Sequence, residues 1–184
     1  MRWQALFDDL EAQAAEADAA ELWAEVADRS RTERGRVRLV DRLAPGVGHP
    51  LSLAARGAGS VHGRLVDTGP DWLLLEEPGV RELLIPLTAV LSVSGVGLRS
   101  AVPGSEGKVV RRLDLRWALR GLARGRVGVQ VVLVDGTSLA GTVDHVGADH
   151  VDVAEHAAGE ARRSSAVRQV RLVPLTAIAL VRSG

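Results

Sequence analysis

The chain carries one short pattern twice, and this limits what it can fold into more than any other feature. Val61-His62-Gly63-Arg64-Leu65, followed by Gly69-Pro70-Asp71-Trp72-Leu73-Leu74-Leu75, is answered by Leu139-Ala140-Gly141-Thr142-Val143, followed by Gly147-Ala148-Asp149-His150-Val151-Asp152-Val153. Gly63, Gly69 and Asp71 recur unchanged 78 positions later as Gly141, Gly147 and Asp149. Ile85-Pro86-Leu87-Thr88-Ala89-Val90 is matched by Val173-Pro174-Leu175-Thr176-Ala177-Ile178, 88 positions on. Self-similarity at a nearly constant spacing marks one structural unit used twice.

The unit reads as β. Leu51, Leu53 and Ala55 alternate as in a strand, and Arg56-Gly57-Ala58-Gly59 turns the chain. Residues 61–66, 72–76, 81–85 and 89–93 follow as short apolar runs separated by Gly, Pro and Asp. In the second copy the corresponding runs are 129–133, 139–143, 150–153, 170–173 and 177–181, with Asp135-Gly136 as a hairpin turn. The loop 155–167, which holds Arg162, Arg163 and the Ser164-Ser165 pair, is about ten residues longer than its counterpart.

Helical periodicity lies outside these runs. Trp3, Leu6, Leu10, Ala14 and Ala17, continued by Ala15, Ala19, Leu22 and Val26, predict a helix over 2–28 whose other face is acidic. Ser30 with Glu33 fits a capping box and predicts a second, arginine-rich helix over 30–44, stopped by Pro45-Gly46. A third, over 105–124, has Val110, Leu113 and Trp117 on one side and Leu115, Leu119 and Leu122 on another, a distribution that suggests packing between the two copies.

A short helix followed by five strongly bent strands, with glycine at the centre of the second strand and a Pro-Leu pair before the fifth, resembles the Sm-like fold, a small SH3-type barrel. Gly63 and Gly141 match the bending glycine, and Asp71 and Asp149 fall where the family often turns a polar residue toward its nucleotide pocket. Ile85-Pro86-Leu87 and Val173-Pro174-Leu175 resemble the second motif of the family's bacterial branch, so the likeness covers about residues 48–95 and 127–182. It implies a mainly β chain with helices: two tandem five-stranded Sm-like barrels, each preceded by a helix, plus a long N-terminal helix. The divisions are 1–45 for the N-terminal helical region, 46–97 for the first barrel, 98–126 for a linker and helix, and 127–184 for the second barrel. Gly63, Gly69, Asp71, Gly141, Gly147, Asp149, Pro86 and Pro174 are the fold-defining residues.

The same resemblance implies RNA or other nucleic acid as a partner, because Sm-like sites stack a base on a flat side chain. This chain departs from that pattern: it has no tyrosine, its only phenylalanine is Phe7, and Trp72 is the sole aromatic residue of the barrels, with His150 in its place in the second copy. The arginines offer a different route. All basic residues but Lys108 are arginine, which reads either as GC-rich nucleotide composition or as selection for phosphate contacts. The expected nucleic-acid surface is Arg111, Arg112, Arg116, Arg120, Arg162 and Arg163, with Trp72 and His150 as stacking groups. The alternative is a protein-interaction or assembly module. Sm-like subunits join strand four of one to strand five of the next, so the duplicated halves can pair internally or with a partner, and the N-terminal helix can serve as well.

Catalysis is not expected. The chain has no cysteine, hence no thiol nucleophile or thiolate metal site. His145, Asp149 and His150 straddle a turn without a fourth ligand, and Gly104-Ser105-Glu106-Gly107-Lys108 puts Val109 where a phosphate loop needs Ser or Thr. The reading is therefore no enzyme, no metal and no cofactor. Net charge is zero. Asp8, Asp9 and Glu11 break any signal-peptide core, and no run approaches the ~18 apolar residues of a spanning helix. The expectation is a soluble cytoplasmic protein with no membrane partner.

Overall fold

A computed structural model describes residues 16, 21–79, 81–104, 112–157, 163 and 166–183. The chain divides into two units, 1–38 and 39–184. In the first, α1 runs through residues 21–35, with Thr32 Oγ1 donating to the Asp28 carbonyl at 3.0 Å. Ser30 lies inside this helix and does not start a new one, because the Glu, Ala and Arg residues around it favour helix on both sides. Most of the helix expected over 2–28 lies outside the described residues.

The second unit is built on ten strands. They are β1 Pro50–Ala55, β2 Gly59–Thr68, β3 Trp72–Glu77, β4 Arg81–Pro86, β5 Val90–Ser94, β6 Gly128–Leu133, β7 Ser138–Val146, β8 His150–Glu155, β9 Gln169–Pro174 and β10 Ile178–Ser183. Two helices precede the two sets of strands, α2 at Leu39–Leu43 and α3 at Leu115–Gly125.

The duplication is carried through to single hydrogen-bond registers. Leu51 pairs with Gly63, and Val129 with Gly141. The β2–β3 ladder shifts between Leu65 and Asp67, and β7–β8 shifts between Val143 and His145. Leu87 N donates to Asp71 O and Leu175 N to Asp149 O, both at 2.8 Å, as each Pro-Leu segment leaves its strand in one 3₁₀ turn.

The two expected closed barrels are not present. All ten strands belong to one open antiparallel sheet in the order β5-β1-β2-β3-β4-β10-β6-β7-β8-β9, accompanied among the described residues by the helices α1, α2 and α3. The reason is where strand four finds its neighbour. β5 pairs with β1 of its own copy, but β4 pairs with β10, the fifth strand of the other copy. Within its own copy β4 pairs with β3 alone, so the ladder of the first copy is not closed on that side.

This β4–β10 seam also divides the core. One apolar cluster is centred on the second copy, yet includes Trp72 and Leu84 from the first. The other is centred on the first copy and includes Val132, Ala179 and Leu180 from the second. The two halves thus share one continuous sheet and lend each other core residues.

Gly63 and Gly141 act by close approach between strands. A Cβ on Gly63 would lie 2.7 Å from the Glu76 carbonyl oxygen, and one on Gly141 would come closer still to that of Ala154. Gly69 and Gly147 leave room for the rings of Trp72 and His150, which lie against them.

Candidate interaction surfaces

Three surfaces bring polar or exposed apolar groups together: the start of α3, its outer face, and the two ends of the sheet.

At the start of α3 the first copy grips the helix of the second. Asp114 is the N-cap and accepts from Trp117 N at 2.9 Å. Asp71, from the β2–β3 turn, accepts from Leu115 N at 2.8 Å, and Trp72 Nε1 donates to the Leu113 carbonyl at 2.7 Å. Arg116 Nε donates to Asp114 Oδ2 at 2.8 Å. Trp72 is 5% exposed, so its ring anchors this joint and presents no face to a base. Asp71, placed by the family resemblance toward a nucleotide pocket, here engages the first backbone N–H of α3 through Oδ1.

The two carboxylates respond oppositely to their surroundings. Burial, with the negative charge of Asp114 nearby, holds the Asp71 carboxyl above its ordinary value despite the Leu115 N–H. Burial also acts on Asp114, but hydrogen bonds from Arg116 and Trp117 outweigh it and lower that group. Asp71 therefore favours folding most when protonated, below about pH 3.8, and this contribution fades as pH rises through its raised value. Asp114 contributes above its unfolded value and loses that contribution as pH falls through its lowered one. In urea denaturation, Asp71→Asn should match the parent at pH 3 and exceed it at pH 7. Equal stability of the two at both pH values would contradict this assignment.

The second copy has no such joint. His150 Nδ1 bonds Asp149 Oδ1 at 2.9 Å, and the Asp149 side chain is 90% exposed. Asp152 stands 3.8 Å from His150 Nε2, so two carboxylates flank the ring and disfavour phosphate there. The other expected nucleic-acid residues are distributed as follows. Arg112, Arg116 and Arg120 are exposed at or on α3, Arg163 is exposed in the long loop, and Arg111 and Arg162 lie outside the described residues.

The outer face of α3 holds a group that the sequence had assigned to packing. Leu115 and Leu119 are buried, with Leu122 packed beside them, while Trp117 is 44% exposed. Its helical neighbours at three, four and seven positions on are Arg120, Gly121 and Arg124. A separate cleft of about 610 Å³ lies over β1–β3, where His62 Nδ1 meets Ser52 Oγ at 2.6 Å and Arg64 pairs with Glu76. No described carboxylate orients the second nitrogen of His62, so this pair lacks the third member of a nucleophilic triad. Among the described residues no group of His, Asp and Glu side chains could hold a metal ion.

The third surface is the pair of free edges, β5 and β9. Leu91 on β5 is 62% exposed and Leu172 on β9 is 66% exposed, with Val170 also exposed. By the repeat, Leu172 occupies the place of Leu84, and Leu91 the place of Ala179, both of which are buried at the seam. These edge residues are visible in the sequence only after the repeat has been aligned and the seam located.

The class this fold defines is a duplicated antiparallel β protein with two unpaired edges. No protein-family model and no curated protein matches the chain. No described helix is long and apolar enough to cross a membrane.

Proposed function

We propose that this chain is a non-enzymatic assembly module in which β9 of one copy pairs with β5 of the next. The β4–β10 seam is the observation that carries this reading, since it joins the repeat equivalents of the same two edges within a single chain.

The seam also supplies a register. Val181 lies opposite Leu84 and Arg182 opposite Leu83. Transposed through the repeat, Val93 of one copy meets Leu172 of the next, and Ser94 meets Arg171. Unpaired strand edges carry free N–H and C=O groups, and proteins usually blunt them with charge or proline. Edge strand β9 does carry Arg171 and Pro174, yet the two edges also expose Leu91, Val170 and Leu172. The two faces of the contact differ, so pairing is heterologous and propagates, closing into a ring or extending as a filament according to the rotation between copies.

The outer contact is more polar than the seam. Ser92 stands in the place of Leu180, and His150 in the place of Trp72. Less apolar surface is buried on pairing, which makes the association weaker and reversible.

Light scattering over a concentration series tests the proposal. The unmodified chain should rise above its single-chain mass of 19.5 kDa as concentration increases. A double variant, Leu91→Asp with Leu172→Asp, should stay at that mass with an unchanged circular dichroism spectrum, because both side chains are exposed. A single-chain mass for the unmodified protein throughout the series would contradict it.

A further inference from the structure

We propose that the outer face of α3 binds single-stranded nucleic acid, with the Trp117 indole stacking on a base and Arg120 and Arg124 contacting phosphates. This inference is independent of the edge pairing.

The geometry of the helix supports it. Leu115 and Leu119 commit the opposite face to the core, which fixes the outward direction of Trp117. Gly121 lies one turn beyond the indole, and no described atom is within 4 Å of where its Cβ would be, so among the described residues no side chain crowds that position. Arg120 and Arg124 are exposed on the same face; Arg120 adds to the positive charge that acts on Asp114, whose close ion pair is with Arg116. Arg124 and Arg126 then line a cleft of about 450 Å³ together with Asp144, which has an interaction of its own. The helix dipole is unfavourable for anions at this C-terminal end, so the guanidinium groups must supply the attraction.

The first copy shows what an engaged arginine looks like. Arg42, which the repeat places opposite Arg120, donates to the carbonyls of Gly97, Leu98 and Arg99 at 2.6–2.8 Å. Its charge is committed to holding the linker. Arg120 has no such acceptors, and Leu39 stands where the second copy has Trp117. The stacking and phosphate groups are therefore confined to the second copy.

Single strands fit better than the other polyanions. An exposed indole can stack only on a base whose face is open, which a duplex does not offer. A membrane surface calls for an apolar helix face to insert, and that face of α3 is buried.

Fluorescence anisotropy with a labelled oligouridylate of about 12 nucleotides tests the proposal, since single-strand sites commonly span roughly 4–16 nucleotides. Trp117→Ala should weaken binding by roughly 5- to 150-fold, the range that loss of one stacked base produces. Arg120→Gln and Arg124→Gln should each reduce the salt slope by about 0.7. Trp117 is exposed, so its substitution should leave the melting curve in place, and the Leu91→Asp, Leu172→Asp chain should bind as the parent does. Absence of binding at low salt, or unchanged affinity in Trp117→Ala, would overturn the proposal. So would tighter capture by vesicles containing phosphatidylserine than by the oligonucleotide.

Discussion

Trp72→Ala is expected to remove about 3–5 kcal/mol of folding stability, the usual cost of emptying a large aromatic site in a core. The loss should be high in that range because the side chain has three roles. It is fully packed in the apolar cluster of the second copy although it belongs to the first. Its ring lies against Gly69, and its N–H satisfies the Leu113 carbonyl just ahead of α3. Trp72→Phe separates packing from hydrogen bonding. It keeps most of the apolar contact and loses the N–H, which should cost on the order of 1 kcal/mol beyond the change in volume. Urea denaturation of both variants reads the difference. A loss below about 1 kcal/mol in Trp72→Ala would show that the seam does not depend on this residue.

Gly141→Ala is expected to cost about 1–3 kcal/mol or more, and to exceed Gly63→Ala. Both glycines sit where a Cβ would strike the carbonyl of a neighbouring strand, an obstacle that cannot rotate away. At Gly63 the intruding atom would stand 2.7 Å from the Glu76 oxygen, while the fit at Gly141 is tighter. Gly121→Ala gives the opposite sign. It lies within α3 with open space around it, so alanine should stabilise the helix by roughly 0.5–1 kcal/mol. If all three substitutions changed the denaturation midpoint equally, the close-approach explanation would be wrong.

The repeat and most strand centres were legible because each strand is a short apolar or alternating run between turn residues that bound it. Asp135-Gly136 reads correctly as a turn: Gly136 has φ 89°, and Thr137 N donates to Asp135 Oδ1 at 2.8 Å. Closure was not legible. The apolar pattern of β4 is satisfied equally by its own fifth strand and by that of another copy, and only pairing decides between them. Ser30 was misread because a capping box describes a local sequence, whereas the residues on both sides carry one helix through it.

The binding surfaces show the same limit. Trp72 is the aromatic residue that a barrel-based reading selects, yet its neighbours across the seam bury it. Trp117 falls on one of two apolar stripes of α3, and the sheet covers only the stripe containing Leu115 and Leu119. Periodicity identifies the faces of a helix but not which one the fold will cover. Arginine count had the same weakness, since Arg42 and Arg120 are alike in sequence but only Arg42 is bound to linker carbonyls.

Mixing two single-edge variants addresses the complementarity of β5 and β9 most directly. Leu172→Asp blocks β9 and leaves β5 available, while Leu91→Asp blocks β5 and leaves β9 available. Each alone should stay at the mass of one chain, and their mixture should form a complex of two chains and nothing larger. A mixture that remains at single-chain mass, or one variant that assembles alone as the parent does, would contradict the pairing of unlike edges.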